Sequence, residues 1–233
     1  MRKMDQKISV IIPAYNEEDT IEATIKSLLG MELLDEIIVV DDGSLDHTRE
    51  VVSKFEEVTL ISLDKNSGKG RALKEGIHYA LNKFDIITLL DADLKESSKE
   101  VEKLINPLVS KEADVTIAKF PAAKRKGGFG MVKRLAYLGV LLHTGRILST
   151  TLSGQRAFKK KVLENIEIGD YGFGIEYGMT LDILKKGYLI EEVEVEMYHR
   201  ETGRDFNGFL HRGKQFIEIL KVIFRKKLQG LKN

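Results

Sequence analysis

The chain has 233 residues, 42% of them hydrophobic, with a formal net charge of +1. That length supports one substantial core and hence one domain with a C-terminal appendage, and the near-zero charge argues against a general nucleic-acid binder. The absence of cysteine excludes a disulfide frame and a thiolate metal site and fits a reducing cytoplasm; no secretory leader is expected from the short polar stretch Met1 to Lys7, nor a membrane span, since no apolar run reaches roughly 18 residues.

Ile8 to Ile12 is a continuous apolar run, the mark of a strand buried on both faces, and Pro13 ends it before a polar loop, Ala14-Tyr15-Asn16-Glu17-Glu18. Asp19 or Thr20 then caps a helix whose apolar positions Ile21, Ile25, Leu28 and Leu29 recur at helical spacing. Glu36 to Val40 is a second buried strand, ending in Asp41-Asp42-Gly43-Ser44. A helix around Asp46 to Phe55 leads to a third strand, Val58 to Leu63. Asn66-Ser67-Gly68-Lys69-Gly70 opens the next helix, and the fourth strand, from Ile86, runs to Asp91-Ala92-Asp93. This βαβαβαβ series calls for parallel pairing with right-handed crossovers.

All four strands deliver polar residues to one edge, so Tyr15 to Glu17, Asp41-Asp42, Asn66 to Lys69 and Asp91-Ala92-Asp93 should line a single crevice. Alternation along an extended chain would turn Asp91 and Asp93 to the same side, two hard oxygen donors suited to Mg²⁺ or Mn²⁺ on phosphates. The competing reading is that both only end the strand and cap the following helix. Lys69, flanked by glycines at a helix start, suits a phosphate, or else is a solvated helix terminus; the spacing of a Walker loop is missing.

In the second half, Asp114 to Ala118 reads as a strand, and Pro121 to Gly130 as a loop carrying Lys124-Arg125-Lys126. Met131 to Leu148 is a helical stretch bearing Lys133, Arg134 and Arg146, which suits either a membrane interface or packing on the sheet. Ser153 to Phe158 is a turn into a short strand. Gly172 to Glu176 opens a helix over Tyr177 to Lys185, with Glu176 placed to meet an acceptor or to complement the helix dipole. Tyr188 to Met197 reads as an alternating strand. His199, at its end, is a structural residue or a metal ligand, and Arg200 and Arg204 follow it. The tail is a basic amphipathic helix, for which packing on its own domain or in a homodimer ranks ahead of the membrane surface. Residues 1–205 are therefore expected as the domain, 1–118 its nucleotide half and 119–205 its acceptor half, with 206–233 as the appended helix.

Ile-Pro-Ala-Tyr-Asn-Glu-Glu at 12–18, Val-Val-Asp-Asp-Gly-Ser at 39–44, Asn-Ser-Gly-Lys-Gly-Arg-Ala-Leu at 66–73 and Leu-Asp-Ala-Asp-Leu at 90–94 resemble, in order, the motifs of family 2 nucleotide-sugar glycosyltransferases. The resemblance implies the α/β GT-A fold, a Rossmann-like single domain with a mostly parallel central sheet flanked by helices. It also implies that Pro13, Ala14, Tyr15, Glu17 and Asp42 bind the nucleotide, that Lys69 lies beside it, and that Asp91, Ala92 and Asp93 hold the ribose and a divalent cation. Residues 153–158 are similar to a segment of polyprenyl- and dolichyl-phosphate sugar synthases, in which the arginine at the position of Arg156 faces the acceptor phosphate. The chain departs from those enzymes at Gln155, where an aromatic is usual, and at Lys95. Tyr198 to Arg204 resembles the His-Arg element of glucosyl-3-phosphoglycerate synthases, which implies a metal shell of Asp91, Asp93 and His199, with Arg200 and Arg204 on phosphate.

The expected function is metal-dependent transfer of a hexose from a nucleoside diphosphate sugar of the UDP-glucose or GDP-mannose type to a phosphorylated acceptor. Polyprenyl phosphate, with peripheral contact at the inner face of the membrane, is expected ahead of a small acceptor such as 3-phosphoglycerate. Asp93, Glu176 and Arg156 are the expected catalytic group. The alternatives are a nucleotide-sugar binding protein without catalysis and a nucleotidyltransferase, which should carry a basic Gly-rich loop after strand one; residues 13–18 have none.

Overall fold

The computed structural model describes residues 6–121, 131–169, 174–198, 213 and 216–226. Among these, a seven-stranded sheet runs in the order β3-β2-β1-β4-β6-β5-β7. Its first half is β1 (Ile8–Ala14), β2 (Glu36–Asp41), β3 (Val58–Ser62) and β4 (Ile86–Leu89), all paired in parallel as the alternating series requires. The helices between them are α1 (Ile21–Leu28), α2 (Thr48–Val52) and α3 (Lys69–Leu81).

The continuous apolar runs have a direct structural cause. Successive side chains of a strand point to opposite faces, and both faces are covered by helices. Ile11, Ile38, Val40, Ile87 and Leu89 enter one core, together with α3 and the later helices, whereas Val10, Ile12, Ile37, Val39 and Ile86 enter a second core with α1. The expected GT-A-like α/β architecture is the one that forms.

The second half departs from simple winding. The strand β6 (Arg156–Lys159) lies antiparallel between β4 and β5 (Val115–Lys119), and β7 (Ile190–Glu194) closes the edge in parallel with β5. A helix α4 (Val101–Val109), outside the predicted series, buries Val101, Leu104, Ile105 and Leu108 in the second core. The other helices are α5 (Met131–Thr144), α6 (Lys160–Leu163), α7 (Ile175–Lys185) and α8, residues 216–226.

The basic helix α8 packs on its own domain. A Cβ at Gly139 of α5 would come within 2.9 Å of Ile223 Cδ1, and one at Gly174 within 2.9 Å of Val222 Cγ2, so these two glycines set the close approach. Lys226, almost wholly buried, ion-pairs with Asp182 at 2.8 Å and Glu167 at 3.2 Å.

Candidate active site

The strand β1 pairs with β2 as far as Ala14↔Asp41 but with β4 only as far as Ile11↔Leu89. The two therefore part company at their carboxyl ends. Pro13, which has no N–H to give, sits in β1 beyond the last β4 pair. The strand order also reverses here, since β2 and β3 lie to one side of β1 and β4 to the other, which makes this the topological switch point where open α/β sheets bind ligands.

The loops around the opening are laced together. Asn16, in the left-handed region at φ 53°, gives its N–H to Ser44 Oγ at 3.0 Å and accepts from the N–H of Leu45 at 2.9 Å. Glu17 receives the Thr20 hydroxyl at 2.7 Å on its side chain and gives its N–H to Thr48 Oγ1 at 2.8 Å. Asp42 is almost fully buried, and its two carboxylate oxygens accept the N–H groups of Ser67 (2.9 Å) and Gly68 (2.7 Å), which fixes the loop ahead of α3. Gly43 is required twice over, by a φ of 68° and because a Cβ would lie 2.5 Å from the carbonyl carbon of Lys65.

The reading of Asp91 to Asp93 as a continuation of the strand needs correction. The strand β4 stops at Leu89, and residues 92–93 form a turn leading to a 3₁₀ segment, Lys95–Glu100. Thr24 of α1 holds that turn: its hydroxyl donates to Ala92 O and accepts the N–H of Lys95, both at 2.8 Å. Lys95 takes a φ of 51° there.

Beside this turn lies a charged cluster. Lys69 Nζ donates to Asp91 Oδ1 at 2.7 Å and to Glu176 Oε1 at 2.9 Å, joining the first residue of α3 to the segment after β4 and the first turn of α7. Gln155 Nε2 donates to the other oxygen, Asp91 Oδ2, at 2.5 Å. Burial would pull the Lys69 ammonium below its ordinary pKa, but Asp91 and Glu176 outweigh that and raise it well above. Lys69 is accordingly a fixed cation at neutral pH and no base.

A glycosyl transferase family 2 model matches residues 9–171, a span that holds the switch point and the cluster except Glu176. The chain belongs to glycosyl transferase family 2. It is 30% identical over 235 residues to a dolichol-phosphate mannosyltransferase of Pyrococcus furiosus, covering 94% of this chain and 63% of that one. A UDP-N-acetylglucosamine–dolichyl-phosphate N-acetylglucosaminyltransferase of Methanococcus voltae is 29% identical over 248 residues, covering 95% of each chain. Among solved structures, glucosyl-3-phosphoglycerate synthase of Mycobacterium tuberculosis, in complex with Mn²⁺, UDP and glucosyl-3-phosphoglycerate, superposes with a TM-score of 0.78 at 25% identity over 96% of this chain and 80% of that one.

In this family 2 glycosyltransferase the expected site residues occupy different depths. Tyr15 is exposed, Pro13, Glu17, Asp91 and Asp93 are half-buried, and Ala14, Asp42 and Ala92 are buried. His199, Arg200 and Arg204 lie outside the described residues. Among the described residues no three His, Asp or Glu side chains converge as a preformed metal cage.

Arg156 does not open onto the crevice. It is 0% exposed, and its guanidinium donates to Ser153 O (2.7 Å), Thr151 O (2.9 Å) and Thr180 Oγ1 (2.9 Å). Burial pushes its pKa down to about 10, with Glu176 acting in the opposite sense, and the group stays charged at neutral pH. Direct contact with an acceptor phosphate, as the resemblance implied, does not follow from this arrangement: the side chain fixes the 151–153 loop against α7. Two further residues belong to the cluster. Gln155 was visible in the sequence only as a departure from an aromatic, and Gly154 allows the loop to approach, because a Cβ there would lie 2.8 Å from Lys69 Nζ.

Proposed function

We propose that this glycosyltransferase moves a hexose from a nucleoside diphosphate sugar to polyprenyl phosphate. The observation that carries the reading is the charge arrangement at the switch point, an ammonium shared between Asp91 and Glu176 at 2.7 and 2.9 Å beside the β1 and β2 loops. Such a site offers carboxylates to ribose hydroxyls and a cation to a diphosphate. Pro13, Ala14, Tyr15, Glu17 and Asp42 would form or support the nucleotide pocket.

The donor set fits Mg²⁺ or Mn²⁺. Such hard cations take oxygen ligands, and Mg²⁺ is commonly held by one or two carboxylates plus substrate phosphates, so a preformed protein cage is unnecessary. Asp93, with Asp91 beside it, would hold the ion, and His199 is the proposed nitrogen ligand. When bound, the cation supplies neutralisation of the charge that develops on the leaving diphosphate. Lys69 adds a second, fixed positive charge on the same side. Glu176, bonded to the same ammonium from the start of α7, is assigned to orienting the acceptor; an acceptor that is already a phosphate anion is a competent nucleophile without a strong base. Arg156 acts through the loop it holds, and Arg200 and Arg204 are proposed phosphate contacts.

Polyprenyl phosphate is favoured over a soluble acceptor by the outer stripe of α5. Leu138 and Leu142 are exposed there with Arg134, and Ile147 and Arg146 are exposed in the segment that follows the helix, a pattern suited to an anionic lipid surface. Two relatives named for dolichyl or dolichol phosphate point the same way. Among the described residues no helix is long and apolar enough to cross a membrane, and the contact proposed here is a peripheral one. The second reading, transfer to 3-phosphoglycerate, is favoured by the likeness to glucosyl-3-phosphoglycerate synthase.

The test is a melting-temperature panel of UDP-glucose, UDP-N-acetylglucosamine and GDP-mannose with and without MnCl₂, followed by radiolabel transfer to polyprenyl phosphate in detergent and to 3-phosphoglycerate without it. A Mn²⁺-dependent rise with one donor and label in the lipid fraction are expected. Transfer to 3-phosphoglycerate alone would select the second reading, and no response to any donor would refute both.

A further inference from the structure

We propose that Gln155 is a positioning residue for the donor, whose side-chain amide fixes the Asp91 carboxylate in the orientation that meets the nucleoside diphosphate. The inference rests on the reading above, in which Asp91 faces the donor. Its two oxygens are held separately, Oδ1 by Lys69 at 2.7 Å and Oδ2 by Gln155 at 2.5 Å, so the carboxylate cannot rotate without breaking one of the two bonds.

The orientation of the amide follows from its partners. An ionised carboxylate only accepts, so Nε2 must face Asp91. The other end is occupied as well, since Ser153 Oγ donates to Gln155 Oε1 at 3.3 Å. The backbone is equally constrained: Gln155 O accepts the N–H of Ala118 at 2.9 Å, and the residue is 2% exposed. Arg156 holds the carbonyls of Thr151 and Ser153, and Gly154 lets the segment come close to Lys69 and Asp91.

The chemistry explains why an amide is suited to this place. A second cation would cancel the charge of Asp91, an aromatic or aliphatic side chain could not donate, and a carboxylate would repel. A neutral donor orients the carboxylate and leaves its negative charge available for ribose hydroxyls or a cation, at the cost of demanding one side-chain geometry.

The test uses the full chain with Gln155→Met, which keeps length and bulk without a donor, and Asp91→Asn as the control. UDP and GDP are titrated calorimetrically in MnCl₂, donor and acceptor KM and kcat are measured, and folding is checked by circular dichroism. Gln155→Met should weaken nucleotide binding and raise donor KM about tenfold, the loss expected for a hydrogen bond to a charged group, with kcat and acceptor KM within about twofold. If Gln155→Met does not fold, Gln155→Asn, which withdraws the amide by one methylene, is measured in its place with the same expectation. A folded variant that binds nucleotide like wild type, while Asp91→Asn loses it, overturns the role of Gln155 alone. If Asp91→Asn also binds normally, or wild type binds neither nucleotide, the donor-site reading fails and this proposal with it.

Discussion

Lys69→Met tests whether the ammonium is a working joint between the two halves of the site. The substitution keeps most of the side-chain length but removes the charge from between Asp91 and Glu176, 2.7 and 2.9 Å away. The two pairs should not count equally. The Lys69 and Asp91 side chains are 36% and 34% exposed, so water screens that pair and its net worth is about 0.5 kcal/mol. Glu176 is only 13% exposed and would be left as a nearly buried carboxylate without its cation, a loss of about 2 kcal/mol, below the 3–5 kcal/mol of a fully buried pair. Glu176→Gln should relieve that penalty, so a double-mutant cycle in urea is expected to give a Lys69–Glu176 coupling of about 1–2 kcal/mol. A coupling under about 0.3 kcal/mol would refute the reasoning, since the contact would then be a solvated surface pair.

Arg156→Met removes the donors that satisfy Thr151 O and Ser153 O and should lower stability by about 2–4 kcal/mol in urea unfolding, with a larger loss for Arg156→Ala, which adds a cavity. Gly154→Ala, whose Cβ would press on Lys69 Nζ and both oxygens of Asp91, should raise donor KM about tenfold while moving the melting temperature by only a few degrees. Asp114 bears on acid stability. Burial favours its neutral form, but the hydrogen bond from Lys161 at 2.7 Å, the N–H of Leu189 and nearby charges prevail and hold its pKa below the ordinary 3.8. Its contribution is therefore complete above that value and lost as pH falls through the lower folded-state value, so Asp114→Asn should flatten the fall of stability below about pH 4 in a denaturation series.

The nucleotide half of this fold is legible because its causes are local. Strands buried on both faces read as unbroken Val and Ile runs, and the polar residues after each run had to collect at one edge once parallel pairing was granted. Lys69 and Asp91 were expected in one crevice, but their contacts with Gln155 and Glu176 were not legible, because those partners are distant in sequence: Gln155 is 64 positions from Asp91, and Glu176 lies 107 positions from Lys69. The same holds for the turn at Asp91 to Asp93, where alternation predicted extended backbone and the Thr24 hydroxyl, 68 and 71 positions from Ala92 and Lys95, holds a turn. Arg156 shows the point from the other side. Its charge suggested a phosphate contact, yet the carbonyls of Thr151 and Ser153 and the hydroxyl of Thr180 surround it only once β6 is inserted between β4 and β5. A short strand with an arginine at its start gives no periodic signal of that insertion. The sequence therefore speaks most clearly of the proposed donor site, whose loops directly follow strands. The wall proposed for the acceptor, α7 with the 151–156 segment and the exposed residues of α5, depends on packing between distant parts of the chain, and for that reason acceptor identity has to be decided by experiments on those elements.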